Sequence, residues 1–151
     1  MPQSLSNILV HIIFSTCDRK PYLKDTGLRQ ELWRYLGGTS KKNDCPCIIV
    51  GGFEDHVHIL AHQSKNIALK DWIRELKRAS SSWIKTKDKS LEDFKWQSGY
   101  GAFSVSQSKA DDVVSYIENQ DTHHQKVTFE EEYLSFLEKY EIEFDKRYLW
   151  D

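Results

Sequence analysis

The stretch GGFEDHVHILAH, from Gly51 to His62, places His56 and His58 two residues apart. On a β-strand, residues i and i+2 share a face, so the two imidazoles point the same way and can converge on one ion. Imidazole suits zinc, manganese, nickel or copper well and magnesium less well. The competing reading is two polar residues that happen to fall on a strand. Sixty residues on, SKADDVVSYIENQDTHHQK carries Tyr116 and Gln120 four apart, on one face of a helix. Val113 and Ile117 fall on an adjoining face suited to core packing. A tyrosine hydroxyl, with a pKa of about 10, is a poor nucleophile at neutral pH. A metal that polarises a phosphate would supply the help it needs. The plainer reading of Tyr116 is a surface tyrosine beside a polar neighbour.

The elements that must position these groups are legible as patterns. NILVHIIFS (Asn7 to Ser15) is a near-continuous apolar run and predicts a central strand, with His11 its one polar interruption. Thr26 to Gly38 predicts a helix with Leu28, Leu32, Trp33 and Leu36 inward, ended by Gly37-Gly38. CPCIIVGG and HVHILAH predict the second and third strands. Asn66 to Ile84 predicts a helix, and Phe94 to Gln107 a strand or broken hairpin kinked at Gly99 and Gly101. Lys109 to His124 and Phe129 to Phe144 predict two more helices. The first six elements match the split βαβ, ferredoxin-like α+β arrangement. That arrangement is an antiparallel sheet with helices on one face, followed by C-terminal helices carrying Tyr116. Val57, Ile59 and Ala61 should face the helices. His56, His58, Leu60 and His62 should then face an open side, free for a ligand. No repeat or linker interrupts residues 1–151, which read as a single domain.

Composition narrows the partners. A chain of 151 residues can bury a real core without disulfides. No apolar run is long enough to cross a bilayer, and the N-terminus lacks the pattern of a signal peptide. Three cysteines, with Cys45 and Cys47 too close for the usual paired zinc spacing, read as free thiols in a reducing cytoplasm. The net charge of −2 hides an asymmetry. Lys70, Arg74, Lys77 and Arg78 form a basic stripe on one helix, whereas the last helix is strongly acidic. Local charge of this kind decides where a polyanion docks.

His-x-His on a central strand, followed by Tyr-x-x-x-Gln on a helix, resembles the single-tyrosine HUH transposases. These are the TnpA-like enzymes of single-strand-mobilised bacterial insertion sequences, and the related REP-associated tyrosine transposases. The resemblance extends to VHIIFSTCDRKPYL, DHVHIL, WQSGYGAFSVSQS and YIENQDTHHQKVTFEEEYLSFL, nearly the whole chain. It implies that His56, His58 and Gln120 hold a divalent metal, Mg2+ or Mn2+. It implies that Tyr116 attacks a phosphodiester of single-stranded DNA beside a hairpin, forming a 5′-phosphotyrosine link and freeing a 3′-hydroxyl. It also implies a homodimer, in which the histidines of one subunit can work with the tyrosine helix of the other. No G-x-x-x-x-G-K phosphate loop is present, consistent with a covalent link that conserves the ester's energy.

Within that frame, Lys70, Arg74, Lys77 and Arg78 are candidates for contact with the DNA backbone, or a plain solvated face. Trp96, Tyr100 and Phe103 are candidates for base stacking, with core or dimer packing the alternative. A base for Tyr116 is open among His123, His124, His62, Glu54 and Asp55. Two other readings remain: a replication-initiator or relaxase type of HUH nickase, and a non-catalytic ferredoxin-like module binding RNA or single-stranded DNA. The length and the single helix-borne Tyr-x-x-x-Gln count against the first. The second requires the histidine pair and Tyr116-Gln120 to be coincidence.

Overall fold

The structure, a computed structural model, describes residues 2–124 and 126–151. Four strands form one antiparallel sheet: β1 (Leu9–Ser15), β2 (Cys47–Gly52), β3 (His56–His62) and β4 (Gly101–Val105). Their order across the sheet is β2-β3-β1-β4, with the longest-range pairings on the central β1. Helices α1 (Thr26–Lys42) and α2 (Leu69–Ile84) connect the strands. This is the ferredoxin-like order expected.

Alternation sorts each strand into two faces. Val10, Ile12 and Phe14 of β1 join Val57, Ile59 and Ala61 of β3 under α1 and α2. Leu32, Trp33, Leu36, Trp72, Ile73 and Leu76 fill that layer from the helices. The indoles are satisfied as well as packed: Trp72 Nε1 donates to Ser40 Oγ and Trp96 Nε1 to Ser80 Oγ, both at 2.9 Å. This is the main core, and apolar burial here carries most of the fold's stability.

The second face is not open. It carries a polar strip, His11, His56 and His58, between two apolar ends. Leu9 and Leu60 at one end are covered by Ala110 and Ile117 of α3 (Ala110–Glu118). Ile13 and Phe103 at the other are covered by Phe129, Tyr133 and Leu137 of α5 (Phe129–Lys139). The short α4 (Gln120–His123) lies between them in sequence. The expectation of a free face failed because Leu9, Leu60, Ile13 and Phe103 had to be buried against something. Covering them encloses the histidines too.

Several boundaries differ from the sequence reading. Helix α1 runs through Gly37 and Gly38 to Lys42, and stops near Asp44, whose φ is 60°. Two helical glycines cost about 1 kcal/mol each relative to alanine, a loss that packing overrides. The expected Lys109–His124 helix breaks at Asn119 (φ −97°, ψ 17°) into α3 and α4. The last helix ends at Lys139, not Phe144: Glu141 takes a left-handed φ of 55° and Ile142 N donates back to Leu137 O at 2.9 Å. Of the Phe94–Gln107 stretch only Gly101–Val105 joins the sheet, and Trp96 makes a lone bridge to Thr16.

Candidate active site

The buried pair His56 and His58 uses its Nδ1 atoms on the side nearest the sheet. His56 Nδ1 lies 2.7 Å from Asp55 Oδ1, and His58 Nδ1 lies 2.8 Å from His11 Nε2. Both Nε2 atoms face the covering helices. His56 Nε2 is 3.0 Å from Gln120 Oε1 on α4, and His58 Nε2 is 3.0 Å from Glu132 Oε1 on α5.

Glu132 joins the histidines to the tyrosine. Gln120 Nε2 donates to Glu132 Oε2 at 3.1 Å, and the Tyr116 hydroxyl donates to that same oxygen. His123 Nε2 is 3.2 Å from Oε2 and 3.4 Å from the Tyr116 oxygen. The carboxylate therefore has two sides, with Oε1 toward the strand histidines and Oε2 toward the phenol. His124 Nε2 comes within 3.1 Å of Oε1. That approach lacks hydrogen-bonding geometry, so His124 Nε2 is a buried nitrogen with no hydrogen-bond partner among the described residues.

Three features bring the helices to this point. At Gly51 of β2 a Cβ would stand 2.7 Å from Ile117 Cγ2 and 2.9 Å from Ile117 O. Only glycine lets α3 rest directly on the sheet, which sets the height of Tyr116. The buried Arg29 of α1 donates to Leu23 O at 2.7 Å and reaches Asp121 of α4 at 3.3 Å, tethering the helix that carries Gln120. Glu132 sits in the first turn of α5, where the helix dipole favours a carboxylate.

The electrostatics follow from burial. Burial pushes His58 down to about 4, against the pull of Glu132, so His58 is neutral at ordinary pH. Burial also drives His11 well below its usual value. Burial alone would raise Glu132. The approach of His124 and the hydrogen bond from His58 outweigh it and hold the carboxyl well below the usual carboxylate range. Since His58 is neutral, it acts on Glu132 through its hydrogen bond. Tyr116 is raised above its ordinary value, by burial first and by the Glu132 charge second. It therefore stays protonated until something removes its proton.

The residues expected to act together, His56, His58, Gln120 and Tyr116, do meet, and within one chain. The Tyr116 hydroxyl has Glu132 and His123 beside it; of the other bases considered, Asp55 serves His56. Beside Tyr116 opens a groove of about 800 Å³, with Lys109, His123, Phe136, Lys139 and Tyr140 in its walls.

The basic stripe lies on α2, across the sheet from Tyr116. Its members have different engagements. Lys77 Nζ is held by the carbonyls of Gln97, Ser98 and Gly99 at 2.8, 3.2 and 2.7 Å, so its ammonium is committed to the loop before β4. Arg74 pairs with Asp71 and Arg78 with Glu75 on their own helix, and Lys70 is exposed. Trp96 and Phe103 are core residues; of the aromatics considered for stacking, Tyr100 is exposed.

Glu132 escaped the sequence reading because it was counted as one more charge on an acidic helix. A signal was present: it follows Phe129 by three and precedes Phe136 by four, so it falls on the apolar face of α5. A carboxylate on a buried face demands partners.

The donor set fits a divalent ion. The ligand atoms of His56, His58, His124 and Glu132 all lie within 4.8 Å of one another. Of these, His124 Nε2 has no other partner among the described residues, and the amide oxygen of Gln120 offers one further side to the same spot. Three imidazoles and a carboxylate favour a transition metal over magnesium.

The family model for IS200-like transposases matches residues 4–120 of the chain. The chain belongs to this family. A search of curated proteins finds no match. Among solved structures, a Deinococcus radiodurans protein assigned as a transposase is similar with a TM-score of 0.62 and 22% identity. That likeness covers 80% of this chain and 95% of the other. A REP-associated tyrosine transposase bound to a REP hairpin has a TM-score of 0.61 and 14% identity, over 84% of this chain and 74% of the other. Both likenesses concern the α+β fold. The family match stops at Gln120, so Glu132, His123 and His124 lie beyond it. Among the described residues no helix of this transposase is long and apolar enough to cross a membrane.

Proposed function

We propose that the chain cleaves and rejoins single-stranded DNA beside a hairpin, through a covalent 5′-phosphotyrosine on Tyr116. What supports this most is the meeting of His56, His58, Gln120 and Tyr116 around one carboxylate within a single chain. His56, His58 and Gln120 would hold a divalent ion, with Glu132 and His124 within reach of the same spot. Mn2+ suits the imidazole-rich set, and Mg2+ is the alternative. Such an ion supplies charge stabilisation on the phosphate oxygens.

The chain's own groups do the rest. The groove beside Tyr116 is the place for an extended strand, with Lys109, paired to Asp112 at 3.8 Å, and Lys139 to meet its phosphates between the acids Glu131 and Glu132 of the same walls. The Tyr116 oxygen attacks phosphorus. Its proton leaves through Glu132 Oε2, the acceptor already in contact with it, and passes on to water as the bond to phosphorus forms. The bond to the 3′-oxygen breaks, and that oxygen takes a proton from water. In rejoining, a different 3′-hydroxyl attacks the phosphotyrosine and gives its proton to water, the bond from phosphorus to the Tyr116 oxygen breaks, and that oxygen takes a proton back by the same route. The meeting of these groups within one chain supports a homodimer in which each subunit assembles its own site, rather than one that shares histidines and tyrosine helix between subunits. Lys70, Arg74 and Arg78, with Tyr100, form a second surface for the DNA backbone on the other face of the sheet, and Lys77 shapes the loop beneath it.

The test uses hairpin DNA labelled on its 3′ side, the part that stays on the protein. With Mn2+ or Mg2+ the chain should form a denaturant-resistant adduct, abolished by chelation and by Tyr116→Phe. An adduct that survives Tyr116→Phe makes Tyr116 the wrong nucleophile. Hairpin binding that ignores chelation, without adduct, points to a non-catalytic binding module.

A further inference from the structure

Two neighbours of the histidine pair have no part in the chemistry above. Asp55 precedes the pair, and His11 is the one polar residue of an otherwise apolar stretch of β1. Neither side chain is placed casually. The Asp55 carbonyl accepts from Thr16 N at 2.8 Å and from Thr16 Oγ1 at 3.2 Å, which fixes the turn ahead of β3. His11 pairs with Leu60 across the ladder, one same-face step from His58, and is 2% exposed. Its ring stands edge-on to Phe136 with centroids 5.2 Å apart.

An imidazole that gives Nε2 to an ion must carry its proton on Nδ1. At His56 Nδ1 the structure puts a carboxylate oxygen at 2.7 Å, and at His58 Nδ1 a second imidazole nitrogen at 2.8 Å. We infer that Asp55 and His11 are positioning residues of the ion site, Asp55 orienting His56 and His11 orienting His58, each so that Nε2 faces the ion. The inference rests on the reading of His56 and His58 as ligands.

The two partners differ in a way that matters. Asp55 can only accept, so it holds the Nδ1 proton of His56 at all times. His58 faces Glu132, which also only accepts, so in the structure described His58 donates from Nε2 and its Nδ1 accepts from His11. With an ion on Nε2 the roles at that contact reverse, and His11 must accept. An imidazole can do either; a carboxylate or an ammonium could serve only one of the two states. Outer-shell partners of this kind are worth about 10–100-fold in metal affinity.

The test measures Mn2+ binding to the full chain, from the free-Mn2+ signal in electron paramagnetic resonance. Asp55→Ala and His11→Leu should each weaken binding by about 10–100-fold. Their melting temperatures in chelator report folding separately. Asp55→Asn and His11→Gln should recover most of the affinity. Asn keeps an acceptor at the right place, and a Gln amide can present either its oxygen or its nitrogen. Wild-type affinity in both Asp55→Ala and His11→Leu overturns the inference, as does failure of Asn and Gln to recover any affinity. His58→Ala is the control for the site itself. If the wild type does not bind Mn2+, or His58→Ala binds it equally, the ion site falls and the inference with it.

Discussion

Gly51 is where helix position and chemistry meet, and its substitution can be worked through. An alanine there would put Cβ 2.7 Å from Ile117 Cγ2 and 2.9 Å from Ile117 O. Ordinary contact begins at 3.4 Å, so α3 must retreat by about 0.7 Å, and the backbone carbonyl cannot rotate away as a side chain would. Overpacking of this kind costs about 1–3 kcal/mol. At about 2–4 °C per kcal/mol for a chain of this size, the melting temperature should fall by roughly 2–12 °C. Activity should suffer more than stability. Tyr116 precedes Ile117, and a misplacement of about 1 Å in a reacting group can cost about 100-fold in rate. The assay pairs thermal unfolding with the initial rate of adduct formation. Ile117→Leu, which removes the Cγ2 methyl but not the carbonyl, should recover part of both losses in the double variant. Gly38→Ala is the contrast: nothing lies within 4 Å of its Cβ, so it should stabilise α1 by about 1 kcal/mol. Wild-type stability and wild-type rate in Gly51→Ala would refute the claim that bare backbone there sets the height of Tyr116.

Glu132→Gln keeps the shape of the side chain but removes the proton acceptor, and should lower the adduct rate by about 10²–10⁴-fold while hairpin binding persists; an unchanged rate would sink the role given to Glu132. In chelator the buried His58, with a pKa of about 4 against 6.5 unfolded, makes stability depend on pH. The unfolded chain takes up this proton first, so stability should fall as pH drops from about 6.5 to about 4, a trend that His58→Gln should flatten in acid-unfolding curves. Saturating Mn2+, at about 100 times its dissociation constant, should add about 2.7 kcal/mol, read as a rise in melting temperature that His58→Ala loses. Lys77→Met strips three carbonyls of their shared donor and should cost about 1–3 kcal/mol in denaturant unfolding. If Lys77 instead serves DNA alone, its loss should weaken hairpin binding and leave stability untouched.

The parts of this site that sequence exposed are those governed by local geometry. Alternation put His56 and His58 on one side of β3, and four-residue spacing put Gln120 beside Tyr116 despite the break at Asn119. What stayed hidden depends on packing between distant elements. Nothing near His58 says that a carboxylate seventy-four residues on will meet its Nε2. Nothing within α2 says that Lys77 turns from solvent to three carbonyls of a loop twenty residues later. The free face was an error of the same kind. Local patterning identified which side chains leave the main core, but not that Leu9, Leu60, Ile13 and Phe103 would recruit α3 and α5 to cover them. Gly37-Gly38 misled because a helix-ending signal is only a propensity, and tertiary contacts along α1 outweighed it.

The division of the sheet into an all-apolar face and a face with a polar strip bears on how such a chain ages. Folding is underwritten by the layer beneath α1 and α2, which holds none of the proposed catalytic groups. A lineage could therefore lose the Tyr116 hydroxyl and still produce a folded scaffold with its basic surface intact. Decay of mobility and decay of structure are separable here.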